Sequence, residues 1–175
     1  MLYMKNDGEI SEFDGSEVLI FPLTTEELKF FKEDISGFEK YINLEYDGED
    51  IKDLETMLDF QLKMQEKEPQ NWIYNTSWLI VSLLNKNIIG TIDFKGCPNE
   101  NGEVEIGYGI GKRYQNRGYA TSAVELMCKY AKDNGIKCVK ANCYRSNIAS
   151  RRVLEKNNFK KIKEDDKIFY FERKF

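Results

Sequence analysis

A strand, a short turn and an amphipathic helix follow one another over residues 104–134, and this unit constrains the fold most strongly. Apolar side chains alternate along residues 104–110, as in a strand with one buried face. They then recur at three- and four-residue spacing over residues 119–131, which predicts a helix packed on a core. Gly118 stands directly before that helix, where the first N–H groups have no intrahelical partner. The sequence therefore predicts an anion-binding site at this turn, with a plain surface turn as the alternative.

Two familiar glycine motifs do not fit this turn. A phosphate-binding P-loop requires G-x-x-x-x-G-K-[ST], but the Gly-Lys pair at residues 111–112 is followed by Arg113, and Ile106 occupies the first glycine position. A dinucleotide fingerprint G-x-G-x-x-G also fails, because the glycines at 107 and 109 are followed by lysine at the third glycine position. The turn is therefore neither a P-loop nor a dinucleotide-binding turn.

Composition limits the classes of protein to which the chain can belong. With 175 residues, of which 41% are hydrophobic and 32% charged, it has the make-up of an ordinary globular domain. The formal net charge of −4 indicates no polyanion-binding surface, so we expect no nucleic-acid partner. No apolar run is long enough for a signal peptide or a membrane span. We therefore expect a cytoplasmic protein, monomeric or homodimeric, without a membrane partner.

Histidine is absent from the chain, and its absence excludes several kinds of chemistry. Ser-His-Asp catalysis, Cys-His catalysis and His-ligated metals all require it, so acid–base work falls to carboxylates, tyrosine, lysine, cysteine or water. The four cysteines show no C-x-x-C pair or metal-finger spacing, which predicts reduced, mostly buried thiols and no metal site. Cys143 is predicted to pack in the core rather than act as a nucleophile, because no histidine can activate it.

Hydrophobic periodicity predicts a mixed α/β (α+β) chain. The elements follow in the order strand, two helices, three consecutive strands, helix, strand, helix and two strands. This order favours a central mixed, mostly antiparallel sheet of six or seven strands, flanked by about four helices. Residues 37–48 are predicted to be a connection rich in aromatic side chains. We predict a single domain over residues 1–175, with residues 1–15 as a loose extension.

Three motifs carry a resemblance to a known family. They are Q-x-x-G-x-A at residues 115–120, Glu-Ile-Gly-Tyr at residues 105–108, and the segment that spans residues 147–159. Their order and spacing resemble the GCN5-related N-acetyltransferase (GNAT) superfamily, and most closely its branch of ribosomal-protein N-terminal acetyltransferases. The clear match covers about residues 77–165, and the earlier residues fit only by the order of their elements.

The resemblance implies a GNAT-like fold and an N-acetyltransferase that uses acetyl-CoA as its cosubstrate. In this family the Q-x-x-G-x-A turn binds the coenzyme A pyrophosphate, and a bulge in the preceding strand exposes backbone groups to the pantetheine arm. Asn147 is a good N-cap for the last helix, and the resemblance adds a contact with the same arm. The implied coenzyme A-binding residues are Tyr108, Gly109, Ile110, Gln115, Asn116, Arg117, Gly118, Tyr119, Ala120, Thr121, Asn147 and Ser150.

Transfer of an acetyl group to an amine needs a proton acceptor, because an ammonium group has no lone pair. Alternation places Glu103 and Glu105 beside Gly107 and Gly109 on one face of the predicted strand, where the glycines leave room for a ligand arm. Glu105 is the first candidate for the base because it immediately precedes the Ile-Gly-Tyr motif. Glu103 and Asp93 are weaker candidates, and two solvated glutamates are the plain alternative.

The sequence departs from the family at the group that protonates the departing thiolate. Many members carry a tyrosine in the last helix where this chain has Leu154, and a glycine where it has Asn158. Tyr144, Ser150 or water is then the candidate acid, or the thiolate leaves unassisted. The missing tyrosine also favours a competing hypothesis, a non-catalytic acyl-CoA-binding regulatory module on the same fold. The retained strand glutamates argue against it.

The acceptor is expected to be a primary amine. An anionic groove near Trp72, Tyr74 and Trp78 would attract a cationic amine and cover its apolar part, although core packing is the plainer expectation for these aromatics. No cationic side chain is evident opposite the candidate carboxylates. We therefore expect the α-amino terminus of a peptide or protein first, and a polyamine or amino sugar second. The resemblance to one branch sets that order.

Overall fold

The computed structural model describes residues 17–47 and 51–175, with the backbone alone at residues 51–53. The predicted extension at residues 1–15 lies outside the described residues. Eight strands are present in this part of the chain: β1 Val18–Pro22, β2 Glu45–Tyr46, β3 Ser77–Ser82, β4 Asn87–Phe94, β5 Glu103–Ile110, β6 Cys138–Tyr144, β7 Lys160–Glu164 and β8 Ile168–Lys174.

The strands form one mixed sheet in the order β1-β3-β4-β5-β6-β8-β7, with β2 beside β4. Two pairs are parallel, β5 with β6 and β2 with β4, and the other pairs are antiparallel. The predicted mixed and mostly antiparallel sheet is therefore confirmed. β7 lies at one edge, and its five residues are all exposed.

Five α-helices occur among the described residues: α1 Thr25–Glu33, α2 Ile35–Ile42, α3 Ile51–Lys67, α4 Tyr119–Asp133 and α5 Ile148–Lys156. Short 3₁₀ helices span Pro69–Tyr74 and Lys112–Tyr114. Within the same residues, no helix is long and apolar enough to cross a membrane.

The sheet has a hydrophobic core on each face. β3 contributes to both, because Trp78 and Ile80 pack in the core that contains α4 and α5, whereas Leu79 and Val81 pack in the core that contains α1 and α3. All six β3 residues are buried, as befits a strand covered on both sides. Each buried Leu, Ile or Val side chain of β3 contributes roughly 1.5–3 kcal/mol by leaving water.

The prediction of a plain connection at residues 37–48 is wrong, because this segment contains most of α2 and the short strand β2. Asp34 caps α2 by accepting a hydrogen bond from Gly37 N at 2.8 Å. Phe38 is fully buried and its ring lies 5.8 Å from Phe30 and 5.1 Å from Phe31, measured between centroids. Aromatic packing thus stabilises a helix in which glycine suggested a turn. The described residues consequently hold one strand and one helix more than expected.

The cysteines form no disulfide in the structure and are mostly buried, as predicted. Cys128, Cys138 and Cys143 are buried free thiols, and Cys97 is exposed. Burial raises the pKa of the Cys128 thiol to about 12, so this thiol is unreactive at neutral pH. Within residues 17–47 and 51–175, no group of three or more Cys, Asp or Glu side chains is arranged to hold a metal ion.

Candidate active site

β5 and β6 separate after three paired residues. Their parallel pairing covers only residues 103–105 of β5 and 138–140 of β6. Beyond that point β5 stays with β4 as far as Ile110, whereas β6 stays with β8 as far as Tyr144. The sheet therefore opens between the two strands as a wedge.

Backbone polar groups of β5 face this opening. The Glu105 carbonyl and the Gly111 N–H both hydrogen-bond on the β4 side, at 2.8 and 2.9 Å. Because these groups alternate in direction along a strand, those of Tyr108 and Ile110 point the other way, into the wedge. They face a ligand that lies along the strand, and the Ile110 carbonyl also accepts a hydrogen bond from Gln115 Nε2.

The cause of the opening differs from the expected bulge in β5. Pairing of β5 with β4 is regular over residues 106–110, and the register shift in this region lies between β3 and β4, at Ile80 and Val81. The divergence of β6 towards β8 is what leaves the β5 groups unpaired.

A cavity of about 680 Å³ lies where β5, α4 and α5 meet, and we call it the α4–α5 cavity. The structure brings together at this cavity every residue predicted to bind coenzyme A except Arg117, whose guanidinium carbon lies 6.0 Å from the Tyr114 ring centroid. The predicted residues that line it are Tyr108, Gly109, Ile110, Gln115, Asn116, Gly118, Tyr119, Ala120, Thr121, Asn147 and Ser150.

The N-terminus of α4 has the properties expected of an anion site. Gly118 is its N-cap, with φ of 89°, and no side chain of the described residues caps the helix there. A Cβ at Gly118 would meet no atom within 4 Å, so the space in front of the first turn is open. Gln115 Nε2 donates to the Ile110 carbonyl at 3.0 Å and ties the turn to β5. The first N–H groups and the helix dipole therefore favour negative charge in the cavity.

α5 forms the opposite wall and is held at both ends. Asn147 Oδ1 accepts a hydrogen bond from Ser150 N at 3.0 Å, which confirms its predicted role as N-cap. At the other end, the buried Asn157 donates from Nδ2 to the Thr121 carbonyl of α4 at 3.1 Å. The two helices thus keep a defined separation across the cavity.

The two departures from the family pattern have clear positions in the structure. Leu154 is fully buried in the core and has no polar atom that could protonate a sulfur. Asn158 follows α5 with φ of 61°, the left-handed conformation that glycine and asparagine adopt most readily. Asparagine therefore keeps the backbone turn that the family makes with glycine.

Tyr108 spans the wedge from β5 to α5. Its hydroxyl lies 2.9 Å from Ser150 Oγ and donates to the Ser150 carbonyl at 3.3 Å. Burial raises the pKa of the Tyr108 phenol to about 12, although the Ser150 hydrogen bond opposes part of the change. Two hydroxyl groups therefore meet at the inner end of the opening.

A second hollow of about 430 Å³ adjoins the cavity, and we call it the β4–β5 groove. Tyr46 of β2 with Leu54 and Met57 of α3 form one side, and Thr91 and Asp93 of β4 belong to its floor. Residues 108–110 of β5 line both the groove and the α4–α5 cavity. Two ligands, one in each hollow, would therefore meet at this part of β5.

Asp93 is the carboxylate of the groove. It is 6% exposed, and burial raises its pKa from 3.8 to about 6, against the opposing effect of Lys95 Nζ at 3.7 Å. Gly107 lies opposite Asp93 on β5, and a Cβ there would come within 3.1 Å of Asp93 Oδ1. The same Cβ would come within 2.6 Å of Lys95 Nζ, so the missing side chain at Gly107 leaves room for Lys95 beside this carboxylate. The pKa of Asp93 suits a proton acceptor near neutral pH.

The pKa of Asp93 predicts a pH-dependent effect of Asp93→Asn on stability. Between about pH 4 and pH 6 the folded protein holds a proton that the unfolded chain releases, so this group's contribution to stability falls as pH rises. The loss reaches about 3 kcal/mol above pH 6. The neutral amide escapes it, so Asp93→Asn should be more stabilising at pH 8 than at pH 4 in urea unfolding. The same difference from the natural protein at both pH values would contradict the raised pKa.

The two glutamates of β5 lie outside both hollows. Glu103 accepts hydrogen bonds from Lys140 Nζ at 2.7 Å and Asn99 Nδ2 at 2.9 Å, and these bonds lower its pKa. Glu105 is exposed and accepts a hydrogen bond from Asn142 Nδ2 at 2.8 Å. The expectation that the carboxylates face no cation is wrong, because Lys140 pairs with Glu103 and Lys95 pairs with Asp93.

The aromatic side chains proposed for an acceptor pocket lie elsewhere. Trp78 is 1% exposed and packs on Tyr130 at 4.7 Å between ring centroids, and Tyr74 packs on Phe94 at 5.4 Å. Trp72 belongs to the neighbouring 3₁₀ helix and lines neither hollow. Tyr144, a candidate acid, is 65% exposed and also lines neither. Core packing was the correct expectation for Trp78 and Tyr74.

Sequence reasoning missed several residues of the site. Arg152 and Lys156 line the α4–α5 cavity and place two positive charges near it. Their i, i+4 spacing on α5, starting one turn after Ile148, was the available signal. Tyr114 also lines the cavity, and its hydroxyl donates to Asp47 Oδ2 at 2.5 Å. That contact joins the turn before α4 to the end of β2, and no local pattern reveals it.

Comparison with known proteins identifies the family. The family model of the acetyltransferase (GNAT) domain matches residues 19–160, which is most of the chain. The protein belongs to the GNAT acetyltransferase family. The resemblance carried by the three sequence motifs is thereby confirmed at the level of the family, and the match extends into the amino-terminal half.

Part of this GNAT chain is similar to curated N-acetyltransferases. The uncharacterized N-acetyltransferase YjdG of Bacillus subtilis is 34% identical over 84 residues, which are 47% of this chain and 50% of that protein. The chain thus spans about half the length of the curated relatives it matches.

The structural neighbours share the fold over nearly their whole length. Ribosomal-protein-S5-alanine acetyltransferase from Vibrio fischeri superposes with a TM-score of 0.63 at 14% identity, covering 93% of this chain and 95% of that chain. Campylobacter jejuni N-acetyltransferase PseH, solved in complex with acetyl coenzyme A, gives 0.58 at 20% identity, covering 90% and 98%. At such identities the likeness shows the GNAT fold, and the first neighbour is of the kind that the sequence motifs resemble.

Proposed function

We propose that this GNAT protein transfers an acetyl group from acetyl-CoA to a primary amine by direct attack, without a covalent enzyme intermediate. The observation that carries the proposal is the meeting of the α4–α5 cavity and the β4–β5 groove at residues 108–110. Such a meeting suits a donor in the cavity and an acceptor in the groove, because the two reacting atoms must come into contact.

The residues around the α4–α5 cavity fit coenzyme A. The first N–H groups of α4 would bind the pyrophosphate, and Arg152 and Lys156 would attract phosphate charge. The backbone groups of Tyr108 and the Ile110 N–H, with Asn147 and Ser150, would hold the pantetheine arm. Acetyl-CoA supplies the activated acetyl thioester, and these residues position it.

Asp93 is the proposed proton acceptor. On β5, the residue opposite Asp93 is Gly107, which adjoins the junction of the two hollows at residues 108–110. Glu105 lies two residues farther from that junction along the strand. Asp93 lines the groove, and its raised pKa makes it a better base near neutral pH than an exposed glutamate. Glu105, the first candidate from the sequence, would then act only through water or help to shape the groove.

The proposed acceptor is the α-amino terminus of a peptide or protein, ahead of a polyamine or an amino sugar. Asp93 can attract the amine of the acceptor, and Tyr46 and Met57 can cover the apolar part of the acceptor beside that amine. Lys95 and Lys112 also line the groove, which disfavours a polycation such as a polyamine. One structural neighbour is a ribosomal-protein-S5-alanine acetyltransferase and another derives from a spermidine N-acetyltransferase, so the fold supports either class.

Short peptides with free and with blocked N-termini test this proposal. Release of coenzyme A thiol from acetyl-CoA should occur with free peptides and be absent with their N-terminally blocked counterparts of the same sequence. Equal rates for the two forms would defeat the α-amine assignment. Coenzyme A binding without thiol release for any peptide, polyamine, aminoglycoside or amino acid would favour the non-catalytic acyl-CoA-binding module instead.

A further inference from the structure

The residues that line the junction of the two hollows include one phenol. The residues that line both hollows are Tyr108, Gly109, Ile110 and Gln115. Among these four, Tyr108 alone carries a hydroxyl, and the Gln115 amide is already engaged with the Ile110 carbonyl at 3.0 Å. If the thioester lies at this junction, as the proposed function requires, Tyr108 is the lining residue there that can offer a hydroxyl proton.

We propose that the Tyr108 hydroxyl donates a hydrogen bond to the coenzyme A sulfur as the thiolate leaves, with Ser150 orienting the phenol. This inference rests on the proposed function and assigns to β5 a task that Leu154, at the family's tyrosine position on α5, cannot perform because it is apolar and fully buried. Ser150 of α5, the other candidate from the sequence, here supports the phenol from 2.9 Å. Tyr144 is too exposed and lines neither hollow.

The geometry leaves the phenol proton available. Ser150 Oγ, 2.9 Å away, can donate to the phenol oxygen, while the Tyr108 proton points to the Ser150 carbonyl at a long 3.3 Å. A bond of that length is weak, and a charged sulfur is a stronger acceptor, so redirecting the proton to the sulfur is favourable. The Ser150 hydroxyl would keep the phenol in place during the exchange.

The reaction step balances with the groups present. The acceptor nitrogen forms the N–C bond, its proton passes to the Asp93 carboxylate, and the C–S bond breaks with its electron pair remaining on sulfur. Tyr108 stays protonated, because burial places its pKa at about 12, far above the ordinary thiol value of about 8.5. The phenol therefore stabilises the thiolate by a hydrogen bond, and the released thiolate takes its proton from solvent.

Titration of the thiol of enzyme-bound coenzyme A tests the assignment without any acceptor amine. The ultraviolet absorbance of the thiolate should give a pKa below that of free coenzyme A in the natural protein, and Tyr108→Phe should raise it by about one unit or more. Affinity for coenzyme A, measured by calorimetry at pH 6 where the thiol is protonated, should change less than about threefold. Tyr41→Phe is the matched control, because Tyr41 is 61% exposed and lines neither hollow.

Ser150→Ala distinguishes the effect of the Tyr108 phenol on the thiol pKa from the effect of the neighbouring Ser150 hydroxyl. It should shift the thiol pKa less than Tyr108→Phe does, because the phenol remains. If Tyr108→Phe leaves the thiol pKa unchanged, the inference is overturned, whether or not Ser150→Ala shifts that pKa. This result would not contradict the proposal that the protein binds coenzyme A. Failure of the natural protein to bind coenzyme A would instead overturn the proposed function, and the inference with it.

Discussion

Gly118→Val is expected to lower the affinity for coenzyme A by on the order of 10²-fold or more while the protein still folds. Gly118 has φ of 89° at the N-terminus of α4, with open space in front of it. A branched side chain would occupy the position from which a pyrophosphate approaches the backbone N–H groups, and it would strain the left-handed conformation. Isothermal titration calorimetry with coenzyme A measures the loss, and circular dichroism checks the fold.

Gly135→Val separates backbone strain from the binding effect. Gly135 follows the other end of α4 with φ of 80°, and a Cβ there also meets no atom within 4 Å. Both substitutions force valine into a left-handed conformation, at a cost of about 1–3 kcal/mol of stability. We expect similar losses of stability but normal coenzyme A affinity in Gly135→Val. Unchanged coenzyme A affinity in a folded Gly118→Val protein would contradict the assignment of the α4 turn as the pyrophosphate-binding site.

Asp93→Asn is expected to lower kcat by about 10²–10⁴-fold, the usual contribution of one general base. The amide keeps the size of the side chain but cannot accept a proton. The natural protein should also show kcat/KM rising with pH through about 6 as Asp93 ionises, and this rise should vanish in the variant. Steady-state rates of thiol release between pH 5 and pH 9 measure both effects.

Glu105→Gln provides the matched comparison, because it makes the same chemical change on the adjoining strand. Glu105 is exposed, lines neither hollow and is engaged by Asn142, so we expect a loss of less than about tenfold. A severe loss in Glu105→Gln with a mild one in Asp93→Asn would return the role of base to Glu105. Neither substitution should weaken coenzyme A binding, since neither residue lines the α4–α5 cavity.

Local sequence patterns predicted the carboxyl-terminal half of the fold well. Strand β5 has the bounds that alternation indicated, α4 begins directly after Gly118, and Asn147 caps α5. These features depend on neighbours within about four residues, through side-chain periodicity and capping hydrogen bonds, and so they can be read from the chain itself. The three motifs also placed the chain in its family, because they lie on these locally determined elements.

The amino-terminal half was less predictable from local patterns. Gly37 and the aromatic residues around it suggested a connection, yet α2 forms there because Phe38 packs between rings of α1. Tertiary contacts stabilise this helix, and helix propensities derived from the local sequence do not account for such contacts. β2, only two residues long, exists through its pairing with β4 and has no periodic signal of its own.

The assignment of roles at the site was decided by the tertiary structure. Alternation correctly placed Glu103, Glu105 and Gly107 on one face of β5, but it could not show that Lys140 binds Glu103 while Asp93 is buried opposite Gly107. The contact between Tyr108 and Ser150 joins residues 42 positions apart. The sequence alone determined the elements and the α4 turn, because their interactions are local. Only the packed sheet decided which carboxylate is desolvated and which hydroxyl-bearing residue lines both hollows. Desolvation and contacts between distant residues depend on where β6 leaves β5 and where α5 packs.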